Sequence, residues 1–153
     1  MKRLAAAVLL VTFCSALSAA NWPAWRGPTG QGICEEKNVP QKWSDKDNVK
    51  WKIELKDQGN STPVVWGDRI FLTQANKGRT VRGLLCFARA DGKLLWQKDV
   101  TYLEKERNWN PSWYCNASPV TDGKRVVVSH GSAGMFCYDF EGKELWKRTD
   151  LGS

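Results

Sequence analysis

The chain is poor in the residues that most often carry metal and proton chemistry: of its 153 residues, one is histidine and two are methionine. One histidine cannot build a His cluster, and the five cysteines include no CxxC or CxxxC pair, so a structural zinc site has little support. Long apolar runs are missing too. The one extended apolar stretch, from Leu4 to Leu17, is shorter than the roughly 18–20 residues a membrane span requires. With 25% charged residues, the chain leaves no room for a polytopic membrane protein. Its 42% hydrophobic content is that of a globular chain and excludes disorder or a collagen-like repeat. Tryptophan is what the chain has in excess, with nine residues.

The first 20 residues have the form of an export signal: Lys2 and Arg3, the apolar Leu4–Leu17 stretch, then Ser18-Ala19-Ala20 with small residues where a signal peptidase inspects the chain. Cleavage is expected between Ala20 and Asn21, with no transmembrane anchor remaining. Phe13 precedes Cys14 where a lipid-attachment motif wants a small residue, so a lipid anchor is not expected. Removal of Lys2 and Arg3 takes the formal charge from +7 to +5, which favours solubility and specifies no partner. In an exported setting Cys34, Cys86, Cys115 and Cys137 are free to form disulfides, and four cysteines allow three connectivities. Cys86 and Cys137 also read simply as small buried side chains. The basic residues are spread over every turn and alternate with acids, so no nucleic-acid-binding face is expected.

The sequence repeats. Thr62-Pro-Val-Val-Trp-Gly-Asp-Arg-Ile-Phe71 returns as Ser118-Pro-Val-Thr-Asp-Gly-Lys-Arg-Val-Val127, at an offset of 56. Downstream, Asp91-Gly-Lys-Leu-Leu-Trp96-Gln-Lys98 returns as Glu141-Gly-Lys-Glu-Leu-Trp146-Lys-Arg148, at an offset of 50. The difference places a six-residue insertion near Ala75–Arg82 of the first copy, expected as a loop between strands. Val49-Lys-Trp51-Lys-Ile-Glu-Leu55 is a third, partial echo, so tryptophans recur at 51, 96 and 146.

Each copy holds four short β-branched runs punctuated by turns such as Gly67-Asp68 and Asp91-Gly92. Four-stranded units repeating every 40–50 residues or so predict an all-β fold of β-propeller blades. The layout is a signal peptide at 1–20, an N-terminal extension at 21–48 and a partial propeller at 49–153. Within the last, an isolated outer strand is expected at 49–55, blade one at about 60–100, a connector at 101–115 and blade two at about 116–150. Trp51, Trp96 and Trp146 are expected to dock neighbouring blades, each filling the wedge between them with its ring and offering its indole N–H to a backbone carbonyl.

These motifs resemble the pyrroloquinoline-quinone-like (PQQ-like) β-propeller repeat family. Asp91–Trp96 and Glu141–Trp146 look like that family's tryptophan-docking repeat. Asn21-Trp-Pro-Ala-Trp-Arg-Gly-Pro28 with Gly30-Gln-Gly32 is similar to the opening of secreted bacterial single-propeller members. The resemblance implies either a quinoprotein dehydrogenase, with PQQ and Ca2+ bound over the central channel, or a non-catalytic propeller such as the scaffold of the outer-membrane assembly machinery. The dehydrogenases carry a vicinal disulfide, and this chain has no Cys-Cys pair. The expectation is therefore an exported, periplasmic or extracellular, non-catalytic propeller that binds or scaffolds protein or carbohydrate partners at its blade rims. No catalytic residue, metal site or cofactor is assigned. The alternative is the N-terminal part of a PQQ-dependent dehydrogenase of alcohols or sugars. A ring of the family's type has six to eight blades and this chain has two, so a portion of a longer propeller is expected. Self-association through exposed blade edges, up to a ring of several copies, is the second account, and a two-blade domain the third.

Other constellations carry less. His130 lies near Ser129, Ser132 and Asp139, yet ends a strand-like run and is expected to be structural. Trp109-Asn-Pro-Ser-Trp113 looks like a stacking platform but falls in the connector, where packing over the propeller face is expected. Asn60-Ser-Thr and Asn116-Ala-Ser match the glycosylation sequon but open repeat strands, and are assigned to turns.

Overall fold

The computed structural model describes residues 20–104 and 115–151. Nearly all of the expected signal peptide and the Trp109–Trp113 segment lie outside the described residues. Two four-stranded antiparallel sheets follow one another, each with its strands in chain order. The first contains β1 (Val64–Trp66), β2 (Arg69–Ala75), β3 (Val81–Ala88) and β4 (Leu94–Thr101). The second contains β5 (Val120–Thr121), β6 (Arg125–Ser129), β7 (Met135–Asp139) and β8 (Glu144–Arg148), with one 3₁₀ turn, Gly131–Ala133, between β6 and β7. These are two blades, fewer than a closed ring needs.

The register shows the repeat directly. Phe71 faces Val64 on one side and Cys86 on the other, and Cys86 faces Trp96. In the second sheet Val127 faces Val120 and Cys137, and Cys137 faces Trp146. Both sheets carry an irregularity at the same place, between Cys86 and Phe87 and between Cys137 and Tyr138. An extra residue there bends the strand and increases its twist beside the tryptophan.

The sheets pack face to face. Val64, Phe71, Leu84 and Cys86 of the first meet Val126, Val128, Phe136 and Tyr138 of the second, all but sealed from solvent, with Trp96, Val100 and Phe140 closing the edge. The Phe71 ring lies 5.1 Å from Phe140, and the Trp96 ring 6.3 Å from Tyr138. Each such side chain buried contributes about 1.5–3 kcal/mol, so this interface, with apolar residues alternating along both sheets, holds the two blades as one body. The first strands β1 and β5 approach each other, while the rings of Phe71 and Trp96 from the first repeat meet those of Phe140 and Tyr138 from the second. That is the wedge geometry of neighbouring propeller blades.

Two expectations are corrected. Residues 49–55 form no strand: they join neither sheet, because the segment is held by Trp51 and Ile53 against the turn at Gly92 rather than by a hydrogen-bonded ladder. Only Gln58 beyond it pairs, through both backbone bonds to Ala75. The insertion in the first copy is not confined to a loop either. Gln74 and Ala75 pair with Gly83 and Arg82, so most of the extra residues lengthen the β2–β3 hairpin. Asn76 closes its end by accepting at Oδ1 from the Thr80 and Val81 amides. One further residue of the insertion lies in the β3–β4 turn, where Ala88 bonds to Lys93 while Asp139 bonds to Lys143.

Within the extension at 21–48, Trp22 bridges to Val65 on the open side of β1, Asn21 Oδ1 accepts from the Gly67 amide at 2.8 Å, and the Pro23 carbonyl accepts from Thr121 of β5. The N-terminal segment thus runs across the first strands of both blades.

Candidate functional site

The repeated device of the molecule is a tryptophan set against a glycine turn. Trp96 on β4 donates Nε1–H to the Phe140 carbonyl at 2.8 Å, and its ring covers Gly142. Trp51 donates to the Arg89 carbonyl at 2.9 Å and covers Gly92. A Cβ on Gly92 would meet the Trp51 ring at 2.7 Å, and one on Gly142 would meet the Trp96 ring at 2.9 Å. Both glycines also have positive φ, +74° and +83°, which other residues rarely adopt. Turn and contact thus both demand glycine. The acceptors differ by one place relative to the glycine because the first turn is one residue longer; each is the first residue after the third strand of its sheet.

Trp146 holds the corresponding place on β8 and is 42% exposed. With Val120, Val127 and Cys137 it lines an open groove on the face of the second sheet turned away from the first.

A second polar assembly lies where the repeats open. Asn60 Nδ2 donates to Asn116 Oδ1 at 3.1 Å, and the Thr62 amide donates to Ser118 Oγ at 2.8 Å. These pairs stand 56 residues apart, the repeat offset, so corresponding positions of the two blades meet at one rim. Both sequon asparagines are exposed there. Beside them runs a groove of about 420 Å³ whose lining mixes Leu55, Pro63 and Leu72 with Asp57, Gln58 and Gln74.

His130, the lone histidine, is fully buried, its ring 5.7 Å from Phe136. Among the described residues neither ring nitrogen has a hydrogen-bond partner. Its carbonyl accepts from the Arg82 guanidinium, itself buried and stacked 5.0 Å from the Tyr102 ring. Burial, reinforced by the Arg82 charge, pushes His130 down to about 4. A ring without a bond to Ser129 or Ser132 and without solvent access makes no nucleophilic triad.

All four described cysteines are free thiols, with Cys34 exposed and Cys86, Cys115 and Cys137 buried. Burial pushes Cys86 up to about 12 and Cys115 to about 11, so neither is a thiolate at neutral pH. At the expected cleavage point the Ala20 amide contacts the Glu36 carboxylate and Asn21 is tied to Gly67.

Residues 81–153 match the family model described as outer membrane protein assembly factor BamB. This stretch carries a PQQ-like repeat. The crystal structure of BamB from Moraxella catarrhalis is similar over 65% of this chain, at 18% identity and a TM-score of 0.47. The similar region is 26% of that protein, so this chain spans about a quarter of its length. No curated protein matches the chain.

The matched PQQ-like stretch contains Trp96, Trp146 and both docking glycines. Sequence reasoning missed a further contact, in which Trp66 at the end of β1 covers Gly123 in the β5–β6 turn, a Cβ there falling 2.5 Å from its ring. Asp122 stands at the Trp66 position of the second copy, so the repeat gave no signal. Arg82 was missed for a related reason, as it lies in the insertion, which has no counterpart in the second copy.

Proposed function

We propose that this chain is part of an exported, non-catalytic propeller whose rim binds another protein. The observation that carries the reading is the Asn60–Asn116 rim, where both repeats bring amide side chains to one edge beside a groove of mixed polar and apolar lining. An extended polypeptide uses such a surface well, because its backbone groups bond to the asparagines and to the polar groove residues such as Gln58 and Gln74 while a side chain rests on Leu55, Pro63 and Leu72. The assembly-factor name of the family model over residues 81–153 supports the same class of activity. Reactive groups of the repeat point the same way, since the His130 imidazole and the Cys86, Cys115 and Cys137 thiols are buried.

A photo-crosslinking residue at Ala117, exposed beside Asn116, in the exported protein tests the reading. A discrete protein adduct is expected, weakened at least tenfold by Asn60→Ala. Oxidation of alcohols or sugars, dependent on added PQQ and Ca2+ and seen by dye reduction, would establish the dehydrogenase instead. Labelling only of oligosaccharide would replace the protein partner with a carbohydrate.

A further inference from the structure

The groove beside the Asn60–Asn116 rim is built by the two repeats themselves. Gln58 is fastened by its backbone pair with Ala75, the Asn60 amide donates to the Cys115 carbonyl at 3.1 Å, and Ser61 Oγ both accepts from the Thr73 amide and donates to the Thr73 carbonyl. These bonds fix one wall. Leu72 and Gln74 of β2 form the other, so both walls hold their places without a further blade.

Two polar groups in the lining have no use in the fold. Gln74 is 5% exposed, yet its side-chain oxygen has no hydrogen-bond partner. A buried amide left in that state is uncommon, because the group has given up its bonds to water and gained none in return. Asp57 is half-buried, and among the described residues neither an ion pair nor a hydrogen bond reaches its carboxylate. No lysine, arginine or histidine lines this groove, and the neighbouring Lys56 lines a separate pocket over Leu85 and Phe87. The groove is therefore rich in acceptors and singly negative, with one apolar side.

Resting on the reading that the rim binds a polypeptide, we propose that the side chain received by this groove is an arginine of that partner. Its guanidinium carries five N–H donors in one plane, enough to bond to the Asp57 carboxylate and to Gln74 Oε1 at once. The Gln74 amide turns about its last bond to offer the oxygen and keeps its N–H groups for the partner's backbone. The methylene stem rests on Leu55, Pro63 and Leu72. A lysine carries its donors on a single atom and holds its water more tightly, and a neutral side chain leaves Asp57 without a counter-charge.

Titration of the ¹⁵N-labelled chain with Nα-acetyl-arginine methylamide, followed by ¹H–¹⁵N NMR, tests this. Saturable shifts are expected at the Gln74 side-chain amide and at the Gly59 and Ser61 backbone amides. The citrulline analogue, which has the same shape without the charge, and the lysine analogue are each expected to bind at least tenfold more weakly. Asp57 has no partner to lose, so Asp57→Asn is expected to fold as the parent does and to lose at least tenfold in arginine binding; Gln74→Met is expected to weaken it as well. Citrulline or lysine binding as tightly as arginine would overturn the proposal, as would undiminished arginine binding by Asp57→Asn or the absence of saturable shifts. Crosslinking from Ala117 separates this proposal from the rim reading. An adduct formed equally by the parent and by Asp57→Asn would overturn the arginine assignment and leave the protein-binding rim standing, whereas no adduct from either would overturn both.

Discussion

The indole N–H of Trp96 reaches across the gap between sheets to the Phe140 carbonyl at 2.8 Å, while its ring rests on Gly142 two residues further on. One side chain therefore supplies apolar area, a hydrogen bond and a steric match to a glycine turn. The three contributions separate by substitution. Trp96→Phe keeps most of the ring and loses the bond, with an expected cost of about 0.5–1.5 kcal/mol. Trp96→Ala loses the ring as well, with an expected cost of about 3–5 kcal/mol. Urea unfolding midpoints at constant m-value measure both.

Gly142→Ala is expected to destabilise more than Gly30→Ala. Both glycines have positive φ, +83° and +72°, so both substitutions incur backbone strain of about 1–2 kcal/mol. A Cβ at Gly30 meets nothing within 4 Å, whereas one at Gly142 meets Trp96 and Lys98 at 2.9 Å. The difference between the two thermal midpoints reports the docking contact alone.

Stability is expected to fall on mild acidification. His130 is neutral and buried, held down to about 4 by burial and Arg82 against an ordinary 6.5. Between those values the unfolded chain takes up a proton that the folded chain refuses. Stability is therefore full above about pH 6.5 and declines toward pH 4 by up to about 1.4 kcal/mol per pH unit. His130→Phe, which retains an aromatic ring, removes this part of the slope. Urea titrations at pH 7, 6 and 5 on both proteins check it.

Among Cys34, Cys86, Cys115 and Cys137, only Cys34 is expected to react quickly with a thiol-specific disulfide reagent at pH 8. It is exposed, whereas burial raises Cys86 to about 12 and Cys115 to about 11 and pushes Cys137 upward. Denaturant should release the remaining three together, which peptide mapping of the labelled chain resolves.

The four-stranded blades were legible in the sequence because they repeat. Val64, Phe71, Cys86 and Trp96 have counterparts at corresponding positions, and the turn residues Asp91-Gly92 and Glu141-Gly142 mark the same corner twice. Features without a counterpart stayed hidden. The lengthened β2–β3 hairpin depends on Gln74 and Ala75 finding ladder partners in Gly83 and Arg82, which is pairing rather than composition. Residues 49–55 have the pattern of an outer strand, but a strand exists only with a neighbour to bond to, and here side chains do the holding. The rim contact between Asn60 and Asn116 was present in the sequence as two sequons at the repeat offset, yet only packing of the blades brings the amides to 3.1 Å.

Hydrogen exchange of the indole N–H groups, followed by ¹H–¹⁵N NMR, tests most directly whether tryptophans dock the blades. The Trp51 and Trp96 indoles, bonded to Arg89 and Phe140, are expected to exchange at least a hundredfold more slowly than those of Trp25 and Trp43, which are 61% and 72% exposed. Equal exchange rates at Trp96 and Trp43 in the folded chain would contradict the docking account.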